Sequence, residues 1–85
     1  MMSSPVDERR HFLQAFGSRV REARRQRGWS QDELAERAGL HRTFVGAIER
    51  GSCGLNLSRL PGLAHALDLE PSDLLADAAS RSDVH

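Results

Sequence analysis

The sequence predicts an all-α chain of five helices, the second and third short and joined by a tight glycine turn. Apolar residues recur at spacings of three and four along each segment, the period of a helix with one buried face. Ser30 and Glu33 have the spacing of a capping box, in which each side chain satisfies the other residue's backbone N–H. Gly28, Gly39 and Gly51 each stand directly after a periodic segment, where a left-handed residue closes a helix.

Residues 1–7 mix small polar side chains with Pro5 and are expected to form a flexible arm. One domain should fill 8–79, and 80–85 should be a flexible tail. The first helix is expected over Glu8–Arg27, with Phe12, Phe16, Val20 and Ala23 on its apolar face and Gly17 weakening it locally. Arg21, Arg25 and Arg27 are left for solvent or phosphate. The motif proper is 30–51. Trp29 and Leu34 are placed to form a hydrophobic staple around the first turn, and Leu34, Ala35 and Ala38 form a core-facing stripe. The next helix should start near His41 or Arg42 and bury Val45 and Ile48. After Gly51, the segment from Ser52 to Asn56 reads as a loop. Ser58 then suits the cap of a fourth helix with Pro61 in its first turn and Leu60, Leu63, Ala64 and Leu67 on its apolar face. A fifth helix should start at Pro71, with Asp73 near its positive end and Leu74, Leu75 and Ala78 on one face.

The outward face of the third helix carries the chemistry. At roughly 100° per residue, Arg42, Thr43, Gly46, Ala47 and Arg50 fall on the side opposite Val45 and Ile48. A helix entering the major groove needs long donors near its N-terminus and small residues where the backbone comes close to the bases. A merely solvated face would carry Glu, Lys or Gln there instead.

The segment from Ser30 to Gly51 resembles the helix-turn-helix of the lambda and 434 repressor superfamily, the XRE family, at Gln31, Ala35, Gly39, Leu40, Val45 and Ile48. More narrowly, the run from His41 to Leu60 resembles restriction–modification controller proteins, where an Arg-Thr-aromatic run opens the recognition helix. The resemblance spans roughly Phe12 to Ala76. It implies a compact five-helix lambda-repressor-like DNA-binding domain whose partners are a double-stranded, near-palindromic operator and a second copy of the chain. Should the protein activate rather than repress, RNA polymerase would be a further partner. Under this resemblance Arg42, Thr43, Phe44 and Ala47 would read bases, with Arg42 on guanine. Gln31, Ser30, His41, Arg50, Ser52 and Asn56 would hold the backbone, and Gln31 would also brace Arg42. Arg24 would pair with Glu49, clamping the first helix to the reading helix. The last two helices, 58–79, would dimerise through Leu67, Leu69, Leu74 and Leu75, since their apolar surface exceeds what one small core requires; the alternative is that these leucines all fill the core of the single chain.

Bulk properties bound these expectations. The 85 residues allow a single domain with a small core. A hydrophobic fraction of 39% beside 28% charged residues excludes global disorder. No apolar run approaches the ~20 residues of a membrane span, and the N-terminus has no signal core, so a cytoplasmic protein without membrane contact is expected. The single Cys53 permits no internal disulfide; it reads as a small loop residue, with a redox-sensing thiol as the alternative. The four histidines share no ligand spacing, so neither a metal nor another cofactor is expected. The formal net charge is zero, yet residues 1–29 hold seven Arg against three acids, while residues 52–85 hold two against five. A basic flank can meet phosphate while an acidic one points away, so the zero sum does not exclude DNA. It does predict weak nonspecific affinity.

No nucleophile with a base and no Gly-rich phosphate loop is present, which argues against an enzyme. A stand-alone XRE-type regulator, a phage repressor or an antitoxin fits the same pattern. A protein–protein adaptor on this scaffold would call for an acidic or apolar recognition face, and Arg42 and Arg50 speak against that.

Overall fold

Helix α1 begins earlier than the sequence suggests. In the computed structural model, described over residues 4–76, it spans Pro5–Gln26, so the expected arm is already helical at its end. Ser4 is the reason: its Oγ accepts the Asp7 N–H at 3.1 Å, while Pro5 occupies the first helical position, where its missing N–H costs nothing. The helix closes at Gly28, whose N–H reaches the Arg25 carbonyl at 2.9 Å.

Helices α2, Gln31–Ala38, and α3, Arg42–Arg50, follow. Ser30 Oγ accepts from the Glu33 N–H at 3.1 Å, but the reciprocal half of the capping box is absent. The Glu33 carboxylate instead accepts from Arg37 Nε at 3.0 Å, one turn along the same helix. Arg37 also stacks on the Trp29 ring, 4.2 Å from its centroid, as a cation over an aromatic face does. Between α2 and α3, Gly39 adopts φ 69°, a left-handed conformation that costs glycine nothing. That turn lets Leu40 N–H reach back to the Ala35 carbonyl at 2.8 Å and sends α3 across α2.

The second half departs from expectation at its caps. Ser58 does not start a helix. Asn56 Oδ1 accepts from both the backbone N–H and the hydroxyl of Ser58, opening a 3₁₀ turn over Leu57–Arg59 that runs directly into α4, Leu60–Ala66. Asp68, at φ 57°, then takes the left-handed position, which a short polar side chain tolerates. Residues 71–76 are helical again and form the described part of α5, which begins at Pro71. Asp73 Oδ2 accepts the Glu70 N–H at 2.9 Å and caps it. Ala78 and the expected tail lie outside the described residues, among which no strand occurs.

One core joins all five helices: Phe16 and Val20 of α1, Leu34 of α2, Val45 and Ile48 of α3, Leu63 of α4, then Leu67 and Leu74 are all buried. Leu67 and Leu74 are fully inaccessible, which corrects their assignment to a dimer surface. A domain this small uses such leucines internally because it buries little else. Leu69 and Leu75 are half-buried against the same core.

Gly17 has a role beyond weakening α1. It is buried where α1 crosses the end of α3, and a Cβ there would lie 2.2 Å from the Ile48 carbonyl oxygen and 2.8 Å from that of Glu49. Both obstacles are backbone, so neither can rotate away. Gly17→Ala is therefore expected to force the two helices apart, at a cost of about 1–3 kcal/mol or more. A thermal melt should show a Tm lower by about 4 °C or more, whereas Ser18→Ala on the exposed neighbouring position should leave it nearly unchanged.

Candidate nucleic-acid interface

The orientation of α3 is set from below by a buried charge cluster. Arg24 Nε and one terminal nitrogen donate to the two Glu49 oxygens at 2.7 and 2.9 Å, a forked pair. The other terminal nitrogen donates to the Trp29 carbonyl at 2.8 Å, and Gln31 Nε2 donates to Glu49 Oε1 at 3.1 Å. One carboxylate thus joins α1 and α2 to the last turn of α3, and Arg24 extends the link to the turn between them. The Glu49 side chain is 2% exposed and that of Arg24 10%. Hydrogen bonding to Glu49 raises the Arg24 pKa above its already high ordinary value; burial opposes this less strongly, so the guanidinium remains charged.

Above this cluster stands the outward face. His41 caps α3: its Nδ1 accepts the Thr43 N–H at 3.1 Å, which leaves Nε2 free to face a ligand. His41, Arg42, Thr43 and Arg50 are exposed, and Ala47 is half-buried. Phe44 is also half-buried and packs on the core, so its ring presents less to a groove than its place in the sequence suggests. Gly46 is covered rather than open. A Cβ there would meet an Arg50 terminal nitrogen at 3.1 Å and Gln31 Oε1 at 3.5 Å, so the missing side chain admits these two polar groups across the helix.

Several polar groups expected at the backbone already have partners. The Ser52 hydroxyl and N–H both donate to the Ala47 carbonyl, closing the end of α3 with Gly51, itself left-handed at φ 74°. Asn56 Oδ1 is held by Ser58, so only its amide NH₂ remains. Gln31 does not brace Arg42; its amide is bound to Glu49. The partner of Arg42 is Asp32, its Oδ2 3.6 Å from an Arg42 terminal nitrogen. The sequence gives no sign of this role for Asp32, since an acid in the first turn of a helix ordinarily answers only to the helix dipole. Ser30 keeps its hydroxyl proton for a ligand, because toward the helix it acts as acceptor. Among the described residues no group of His, Cys, Asp or Glu could hold a metal ion, and no helix is long and apolar enough to cross a membrane.

A helix-turn-helix with its second helix anchored from beneath and long donors at its N-terminus defines a class of DNA-binding regulators. The chain belongs to the XRE-type helix-turn-helix family: the model of that family described as "Helix-turn-helix domain" matches residues 17–80. It is a DNA-binding regulator of transcription, of a family whose members are regulators and not enzymes. It is similar to the control protein C.BamHI of Bacillus amyloliquefaciens, 39% identical over 61 residues that make up 71% of this chain and 75% of that one. It is also similar to the control protein C.SmaI of Serratia marcescens, 45% identical over 66% of this chain and 67% of the relative. Among solved structures, the restriction–modification controller protein C.AhdI of Aeromonas hydrophila is 47% identical, with a TM-score of 0.71 over 73% of this chain and 94% of that one.

The clamp makes a direct prediction. Truncating one partner of a buried pair leaves the other charge unanswered, so Arg24→Ala and Glu49→Ala should each destabilise the fold by about 3–5 kcal/mol. The double variant should lose clearly less than both losses added together. Thermal or urea melts check this; two neutral single variants would show that the pair holds nothing.

Proposed function

We propose that the protein is a cytoplasmic, controller-like regulator that binds a near-palindromic operator as a homodimer, with Arg42 as its principal base reader. The observation behind this reading is the exposed Arg42–Thr43 pair at the N-terminus of a helix anchored through Glu49. A guanidinium there can place two parallel donors on guanine O6 and N7, and a threonine can bond a base or meet a thymine methyl. Ala47 adds a small apolar contact further along the helix. Arg50, His41 Nε2, the Ser30 hydroxyl and the free amide hydrogens of Gln31 and Asn56 are the groups placed for phosphate, which positions the protein without carrying sequence. The similarity to three controller proteins supports this subtype over a phage repressor or an antitoxin.

For dimerisation, burial of Leu67 and Leu74 moves attention to another surface. Phe12, Leu13, Leu55, Leu57 and Leu75 line an apolar hollow between α1 and the segment after α3. Leu57 stands out on its rim with 77% exposure, unusual for a large aliphatic residue. A near-palindromic operator would require the twofold contact to hold two copies of α3 one DNA turn, about 34 Å, apart.

Two measurements test these roles. Arg42→Ala should weaken operator binding by about 1–3 kcal/mol and relax preference at one base pair, whereas Arg50→Ala should weaken all sequences alike and flatten the salt dependence. Equal losses on operator and random DNA for Arg42→Ala would refute base reading. Leu57→Glu, on an exposed position, should leave the helical content intact and raise the dimer dissociation constant about tenfold or more, as burying an unpaired charge demands, when followed by sedimentation.

A further inference from the structure

We infer that Asp32 is a specificity-determining residue, whose carboxylate keeps Arg42 off phosphate and so aims it at a base edge. This rests on the reading of Arg42 as a base reader. Asp32 is the second residue of α2 and Arg42 the first of α3, and the turn at Gly39 sets them side by side. Their charged atoms are 3.6 Å apart, too far for a hydrogen bond but close enough for an ion pair. The Arg42 and Asp32 side chains are 70% and 65% exposed, so both face the space a ligand would fill. With Gln31, Thr43, Gly46 and Arg50 they line one shallow polar cleft, in which Asp32 is the lone carboxylate. The neighbouring acids are otherwise engaged: Glu33 with Arg37, and Glu49 in the clamp. Helix α3 has no acid in its own first turn. Asp32 also complements the dipole of α2 from its first turn, but Ser30 caps the helix and Glu33 supplies a second acid in the same turn.

The strength of the pair suits a selector. An exposed ion pair is worth about 1.4- to five-fold in an equilibrium constant, and a forked contact to guanine about five- to 150-fold. Guanine can therefore engage Arg42 against the pull of Asp32. The guanidinium carries five donors in a rigid fork, so one edge can remain beside Asp32 while another meets O6 and N7. Phosphate is a different competitor. It brings a full negative charge next to the carboxylate, and the repulsion offsets what Arg42 would gain. Asp32 thus lowers the affinity of Arg42 for any backbone while sparing its contact with the right base, and the ratio of operator to random binding rises. A purely structural role for Asp32 would not change that ratio.

The experiment compares wild type, Asp32→Asn, Glu36→Gln, Arg42→Ala and the Asp32→Asn/Arg42→Ala double variant. Each binds a duplex selected from a random pool and an unrelated duplex, over a range of salt concentrations. Glu36 is an exposed acid on the same helix and controls for net charge. Asp32→Asn should tighten binding to the unrelated duplex and narrow the operator-to-random ratio by about 1.4- to five-fold, the range an exposed pair allows. On the unrelated duplex its salt slope should steepen by about 0.9, the signature of one added phosphate contact. Neither change should appear in the Arg42→Ala background, and Glu36→Gln should leave the ratio unaltered. An equal gain on both duplexes, a ratio narrowed equally by Glu36→Gln, or a slope change that persists without Arg42 would overturn the proposal. If Arg42→Ala alone weakens both duplexes alike, base reading itself fails. If it weakens mainly the operator while Asp32→Asn leaves the ratio unchanged, only the role of Asp32 fails.

Discussion

Glu49 is a carboxylate removed from water at the end of the helix that faces DNA, and it is tolerated because three donors converge on it from two other helices. Two come from the Arg24 fork and one from the Gln31 amide. An ion pair in this position is poor evidence of net stability, because desolvation offsets much of the attraction. Its consequence is geometric. The fork fixes the distance and the plane between α1 and α3, and the Arg24 bond to the Trp29 carbonyl extends that order to the turn that launches α2. Gly17 makes the arrangement possible by letting the two backbones meet beneath the pair. Arg42 and Thr43 can then be long and exposed without the helix beneath them moving, which is the preorganisation a reading helix needs.

The same economy governs the apolar residues. A chain of 85 residues must use nearly every leucine to cover its interior. Leu67 and Leu74 go there, so any surface for a second copy must be built from what the core leaves over, around Leu57 and Leu75. Charge is distributed on a parallel logic. The basic excess lies before residue 30, chiefly on α1, whereas the motif itself, residues 30–51, holds three Arg against four acids. Asp32 beside Arg42 is the local form of that balance.

The features legible along the chain are those whose cause lies within one turn of helix. Ser30, Gly39 and Gly51 act on backbone groups a few residues away, so spacing alone locates them, and the apolar stripes of α2, α3 and α4 follow from the helical period. The features that are not legible have their cause across the fold or in a competition between neighbours. Ser4 is easily overlooked because one cap before Pro5 is a slight signal in a polar segment. Ser58 looks like a cap, but Asn56 lies two residues upstream and its carbonyl oxygen reaches the same N–H. Ser52 looks free for phosphate, yet the end of α3 claims its hydroxyl, and Gln31 looks free to brace Arg42, yet Glu49 takes one of its amide hydrogens.

Helix period and cap chemistry are local properties, so the order of residues suffices for the five helices, the glycine turn at residue 39 and the polar composition of the α3 face. The Arg24–Glu49 pairing is implied by family resemblance, since nothing in the intervening stretch of chain states a contact. Only the folded arrangement establishes that Gly17 is a crossing point, that Gly46 lies under Gln31 and Arg50, that Leu67 and Leu74 are interior, and that Arg42 answers to Asp32. Each of these depends on which faces meet when the helices close around one core, and the closing distance is set by atoms far apart in the chain.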